Sequence, residues 1–188
     1  METAIRFSTG SDRRFLIADV SNNSLQLRQI TSISNREIKD RVVADKQELP
    51  SFSAFDWNQT QQNLVAIGTD TSIRIIDLDS QDQSSSTVKS WSHRQARRCN
   101  TVAWNADGQV AAGMERSRIE PGLAIYDRAS LLPADKPVVG FAVGETITSI
   151  KFGPNDANTV LTGTPGKGLR IFDRRSMLSF ELTIPIVS

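Results

Sequence analysis

Apolar residues along this chain fall in short runs, each closed by turn-forming residues, and the clearest set lies between Ala96 and Asp127. There Thr101–Trp104, Val110–Met114 and Leu123–Tyr126 are separated by Asn105-Ala-Asp-Gly108 and by a polar loop carrying Pro121-Gly122. Runs this short, rich in Val, Ile and aromatics, predict strands of an antiparallel meander. The same unit recurs. Phe55–Asn58, Leu64–Gly68 and Ser72–Asp77 repeat it upstream, and Ile150–Pro154, Val160–Gly163 and Leu169–Asp173 repeat it downstream. A weaker copy, Ile5–Phe7, Phe15–Ala18 and Leu25–Leu27, opens the chain. Outer fourth strands are expected at Asn35–Val43, Thr87–Trp91, Lys136–Val143 and Leu178–Ile184. The tract Ser80–Ser86 has no means of burying itself and reads as a mobile loop. Another loop is marked by Pro133 and Pro137.

The aromatic anchors Phe7, Trp57, Trp104 and Phe152 stand about 47–50 residues apart, close to the period of about 40–45 for the blades of WD-type propellers. Tyr126-Asp127 is a conservative variant of the Trp-Asp pair that marks such blades. The pattern predicts an all-β, WD40-type β-propeller with four blades, at about 3–43, 51–92, 99–143 and 147–185 in one partial propeller. Propellers of this type close with more blades as a rule. An incomplete ring with exposed flanking faces is therefore expected, with a closed four-bladed ring as the alternative.

Composition narrows the function classes. A 38% hydrophobic, 23% charged chain of 188 residues can bury a core. No apolar run approaches the ~18 residues of a membrane helix, and Met-Glu-Thr-Ala opens no secretory signal, so a cytoplasmic location is expected. Cys99 is alone, which suits a reducing compartment, and the sequons at Asn22 and Asn58 would then carry no sugar. A net charge of +1 gives no global argument for nucleic acid.

Ala96-Arg-Arg-Cys-Asn-Thr-Val-Ala-Trp-Asn105, followed by Ala111-Ala-Gly113, Met114–Arg118 and Ile125-Tyr-Asp127, resembles the propeller of the Mio family, the meiosis regulator and missing-oocyte proteins. The Arg-Cys-Asn lead-in is its most specific part, with looser agreement at Arg14–Ile17 and Leu64–Gly68. The resemblance implies a scaffold subunit of the SEA/GATOR assembly, which works at the vacuole or lysosome surface and relays amino-acid sufficiency to the TOR kinase. It implies partners that are other subunits, WD-repeat proteins among them, and at most peripheral contact with the membrane. The zinc-binding module of the family lies beyond the propeller, so neither a zinc site nor any other cofactor is expected of these residues.

Candidate chemistry is sparse, and no enzyme is expected. His93 is the only histidine, with Cys99 six residues on. Its expected place is a loop before an inner strand, bonded to a turn aspartate, and the thiol is expected to pack as a small apolar group. Gly163-Thr-Pro-Gly-Lys-Gly168 lacks the first glycine and the Ser/Thr of a phosphate loop and reads as a turn. Asp77, Asp127 and Asp173 end third strands, where they should bond turn amides. With Trp57, Trp104 and Phe152 they are the expected structural anchors. Strand parity brings the loop entering each blade and the loop between its second and third strands to one rim. That places Arg94, Arg97, Arg98, Arg116, Arg118 and Lys167 together, a basic patch suited to an acidic partner surface. Arg94, Arg97 and Arg98 near Trp91 leave an RNA- or DNA-associated propeller as an alternative, and a generic adaptor as another.

Overall fold

The computed structural model describes residues 3–10, 12–35, 37–81, 86–130 and 136–175. Every regular element in them is a strand, and the strands pair in sequence order into four antiparallel meanders. Blade 1 holds β1 (Thr3–Phe7), β2 (Arg14–Asp19), β3 (Ser24–Ile33) and β4 (Ile38–Lys46). Blade 2 holds β5 (Ala54–Trp57), β6 (Leu64–Gly68), β7 (Ser72–Asp77) and β8 (Thr87–Ser92). In blade 3 are β9 (Cys99–Trp104), β10 (Gln109–Met114), β11 (Pro121–Asp127) and β12 (Val139–Val143), and in blade 4 are β13 (Ser149–Phe152), β14 (Thr159–Thr164) and β15 (Gly168–Asp173).

Three expectations need correction. In blade 1 the third strand runs on to Ile33 and the fourth is displaced to Ile38–Lys46, because β-branched Ile30, Thr31 and Ile33 extend the pairing past two register shifts. Pro121 and Gly122 lie in β11, not in a loop: Pro121 pairs with Val143, and a side chain at Gly122 would run into the Glu145 carbonyl. The outer strand of blade 3 starts at Val139 instead of Lys136. The expected strand 178–184, Pro133 and residues 82–85 of the Ser80–Ser86 tract lie outside the described residues.

Alternation along each strand gives every blade two apolar faces, which is why the core is divided between blades. Blade 1 presents Leu16, Ala18, Leu25 and Leu27 to Phe55, Trp57, Val65, Ile67 and Ile76 of blade 2. The opposite face of blade 2, Leu64, Ala66, Ile73 and Ile75, meets Val102, Val110, Ala112 and Tyr126 of blade 3. Ala103, Ala111, Leu123 and Ile125 then meet Ile150, Val160 and Phe172 of blade 4. The last two interfaces repeat one aromatic contact, Trp91 on Tyr126 and Phe141 on Phe172, both with centroids 5.1 Å apart.

Three cores thus join four blades, and among the described residues none joins blade 4 back to blade 1. The blades form an open arc. The aromatic anchors all sit on the face toward the preceding blade. Trp57, covered by blade 1, is 1% exposed, whereas Phe7, covered by no other blade among the described residues, is 66% exposed.

Candidate functional site

The basic rim is built by loops that bond to one another across blades. The amides of His93 and Arg97 donate to the Thr71 and Asp70 carbonyls of the blade 2 turn, both at 2.8 Å. Glu115 N–H donates to the Arg98 carbonyl at 3.0 Å, tying the loop that enters blade 3 to the loop between β10 and β11. Arg116 N–H reaches the Thr146 hydroxyl at 3.1 Å, and Gly144 N–H the Ser117 carbonyl at 2.9 Å. The rim is therefore continuous from blade 2 to blade 4.

Its six candidate residues do not share one environment. Arg98, Arg116 and Arg118 are exposed and make no ion pair among the described residues, and Arg94 is also exposed. Lys167 is exposed but held by Glu145 at 2.6 Å, and Glu145 also takes the buried Arg170. Burial, the largest single influence on Glu145, pushes its carboxyl up, but the bonds from Lys167 and Arg170 together hold it below its ordinary range.

Arg97 departs from the expected solvent-facing patch. It is 8% exposed and donates to the Glu115 carbonyl at 3.2 Å and the Pro121 carbonyl at 2.9 Å, with Glu120 Oε2 at 3.5 Å from its Nε. A guanidinium's several donors can satisfy strand-end carbonyls and a carboxylate at once, so Arg97 fastens β11 from within the rim. His93 lies against the same pair, and its side chain does not bond a turn aspartate, in contrast to the expectation. Burial first, and the positive charge of Arg97 second, push His93 down to about 4, with Glu120 opposing. Burial pushes the Cys99 thiol up to about 12.

The strand-end aspartates act on the turns. Asp77, Asp127 and Asp173 each accept the amide two residues on, from Asp79, Ala129 and Arg175, at 3.0, 2.8 and 2.8 Å. The segment from Gly163 to Gly168 is the end of β14, a three-residue turn and the first residue of β15, with positive φ at Gly166 and Gly168 that only glycine adopts readily. Trp104 and Phe152 are half-buried, less covered than Trp57.

A second feature has no counterpart in the sequence reading. β1, β5, β9 and β13 converge on a cavity of about 320 Å³ whose lining includes Arg6, Asp56 and Lys151. These three occupy the same register, one residue before each anchor, and that offset was the available signal. Asp56 accepts Trp104 N–H at 2.9 Å, and its own carbonyl accepts the Trp104 indole N–H at 3.1 Å, which locks blade 2 to blade 3. Burial raises its carboxyl, partly offset by the Trp104 amide and by the charges of Lys151 and Arg6. Among the described residues no group of three His, Cys, Asp or Glu is placed to hold a metal.

No family model matches the chain. An uncharacterised WD repeat-containing protein of Schizosaccharomyces pombe is 31% identical over 85 residues, which are 44% of this chain and 9% of that protein. Raptor of Chaetomium thermophilum overlays 96% of this chain with a TM-score of 0.74 at 12% identity, using 16% of its own length. Sqt1 of the same organism, solved with the N-terminus of ribosomal protein L10, overlays 90% with a TM-score of 0.62 at 19% identity, using 46% of its length. The chain therefore spans less than half the length of these proteins. Four antiparallel sheets of three or four strands and these likenesses give the chain the fold of WD-repeat β-propellers.

Proposed function

We propose that the chain is a non-catalytic scaffold that binds other proteins through its basic rim. The observation that carries this reading is Arg98, Arg116 and Arg118, exposed on two loops held together by the Glu115–Arg98 backbone bond. Loops ordered by their own bonds lose little freedom on binding, and exposed cations steer an acidic partner. The solved Sqt1 complex supports a protein partner, because there a propeller of this fold holds the end of another protein. The Arg-Cys-Asn lead-in of blade 3 supports the finer reading: a subunit of a SEA/GATOR-type assembly, at the cytoplasmic face of the vacuole or lysosome, in amino-acid signalling to the TOR kinase.

The test is a triple reversal, Arg98→Glu, Arg116→Glu and Arg118→Glu. Exposed loop charges change stability by under ~0.5 kcal/mol each, so the variant should fold. Affinity purification from the source cells should recover SEA/GATOR subunits with the wild-type chain and lose them with the variant. Association should weaken most at low salt, where steering is strongest. A folded variant that recovers the same partners with the same salt dependence would remove the rim from the interaction. Recovery of an unrelated complex would keep the scaffold and reject the TOR assignment.

A further inference from the structure

The two ends of the arc carry complementary faces, and the three interfaces within the molecule show how such faces fit. On blade 4 the face away from blade 3 presents Leu161, Gly163, Leu169 and Ile171, with Gly163 paired to Leu169 and Leu161 to Ile171. Blade 3 presents Ala111, Gly113, Leu123 and Ile125 in the same pairing. The two faces are register-for-register copies. All four blade 3 residues are buried beneath blade 4, while their blade 4 counterparts are all half-exposed.

The glycine of this pattern is a point of close approach. A side chain on Gly113 would fall 2.7 Å from Ile147 Cγ2 of blade 4, and one on Gly68 would fall 2.8 Å from Cys99 Cβ of blade 3. Gly163 holds the same register with no following blade among the described residues.

Blade 1 carries the reciprocal surface. Ile5, Phe7, Phe15 and Ile17 stand where blade 4 has Ile150, Phe152, Val160 and Thr162, the residues that face blade 3. Ile5 is 49% and Phe7 66% exposed, and the Phe7 and Phe15 rings lie together with centroids 5.9 Å apart. At the outer register Arg28, paired with Asp40, replaces Phe172. The residue five before Phe7, at the register of Cys99 and Ile147, is Glu2, which lies outside the described residues, so the fit rests on β1 to β3.

Complementary patches on opposite ends of one molecule make a head-to-tail contact, which closes into a ring when the rotation allows. We infer that blade 4 of one copy docks on blade 1 of a second copy, so that two arcs close one propeller-like ring around a twofold axis. Lys151 would then stand beside Phe7 of the second copy, as Asp56 stands beside Trp104.

The 188-residue chain is tested by sedimentation over a concentration series and by mixed cysteine cross-linking. Expected is a dimer that Phe7→Glu and Ile171→Glu each convert to monomer, with circular dichroism unchanged for Phe7→Glu because that side chain is exposed. Mixing Phe7→Cys with Lys151→Cys protein should give a disulfide-linked dimer, and neither variant alone should, since Cys99 is buried. A monomer at every concentration, or a dimer that survives folded Phe7→Glu, would overturn the proposal. In a Phe7→Cys/Lys151→Cys double variant the closed ring predicts cross-linking that stops at the dimer, and larger ladders would overturn ring closure. Should Ile171→Glu fail to fold, Lys151→Glu, on an exposed side chain of the same face, replaces it.

Discussion

Asp56 and His93 are buried titratable groups of opposite consequence. The carboxylate of Asp56 is disfavoured by burial yet supplies the acceptor for the Trp104 amide. Asp56→Asn keeps an acceptor and removes the charge, so melting at pH 7 should be unchanged or higher. Asp56→Ala leaves the Trp104 amide without its partner and should cost about 1–3 kcal/mol. Because folding raises this group's pKa, the folded state holds its proton to higher pH than the unfolded chain. Its contribution to stability therefore falls as pH rises from 3.8 through the raised value, and Asn should flatten that slope. Equal melting of the Ala and Asn variants would show that the bond contributes nothing. For His93 the sign is reversed. Its pKa is depressed from 6.5 to about 4, so the unfolded chain takes up the proton first. Stability should fall as pH drops from about 6.5 toward 4, and His93→Gln should remove that part of the slope in a series of thermal melts. Neither Asp56 nor Arg97 was legible as a structural residue in the sequence. A charged residue in a strand or loop carries no local mark of burial, and the partners of Arg97, Glu115, Glu120 and Pro121, lie in the β10–β11 loop and at the first residue of β11.

At the scale of strands and blades, the anchors differ by what covers them. Trp57→Ala empties a site sealed by blade 1 and should cost about 3–5 kcal/mol, whereas Phe7→Ala removes a largely solvated ring and should cost under ~0.5 kcal/mol. Denaturant titrations of the two variants, at a concentration where the chain is monomeric, measure the difference, and equal losses would mean that the blade 1–blade 2 core does not bury Trp57 as described. β6 and β7 were legible residue for residue, because apolar runs ending in Thr69-Asp70-Thr71 and in Asp77 leave no choice of boundary. Thr69 confirms the first turn by accepting the Ser72 amide at 2.9 Å. Blade 1 was read short, since Gln26 to Ser32 mixes polar and apolar residues and only pairing with β4 makes it a strand. Pro121-Gly122 misled for a different reason. Their composition signals a turn, but a proline at a strand's first residue costs no ladder bond, and the glycine admits the backbone of the following loop. The parity of loops was legible. Which arginines stay in water was not.

At the scale of the molecule, an arc of blades behaves as a linear array, with stability set by each blade and its nearest neighbours. Among the described residues, blades 2 and 3 are packed on both faces and blades 1 and 4 on one each. The strand patterns follow this: every residue of β6 is buried, while β1 is exposed at four of its five residues. Opening of an end blade breaks one interface, but opening of a central blade breaks two. Amide hydrogen exchange should therefore be slowest in β6, β7, β10 and β11 and faster in β1, β2, β13 and β14, although the ladders are of similar length. The order does not depend on the overall stability, since it compares strands within one molecule. Docking of a second copy would cover blades 1 and 4 and narrow the gradient, so the measurement belongs at the lowest workable concentration and with Phe7→Glu protein. Uniform protection across all four blades in that monomer would mean that the arc unfolds as a single unit, and the account of stability as a sum over neighbouring blades would be wrong.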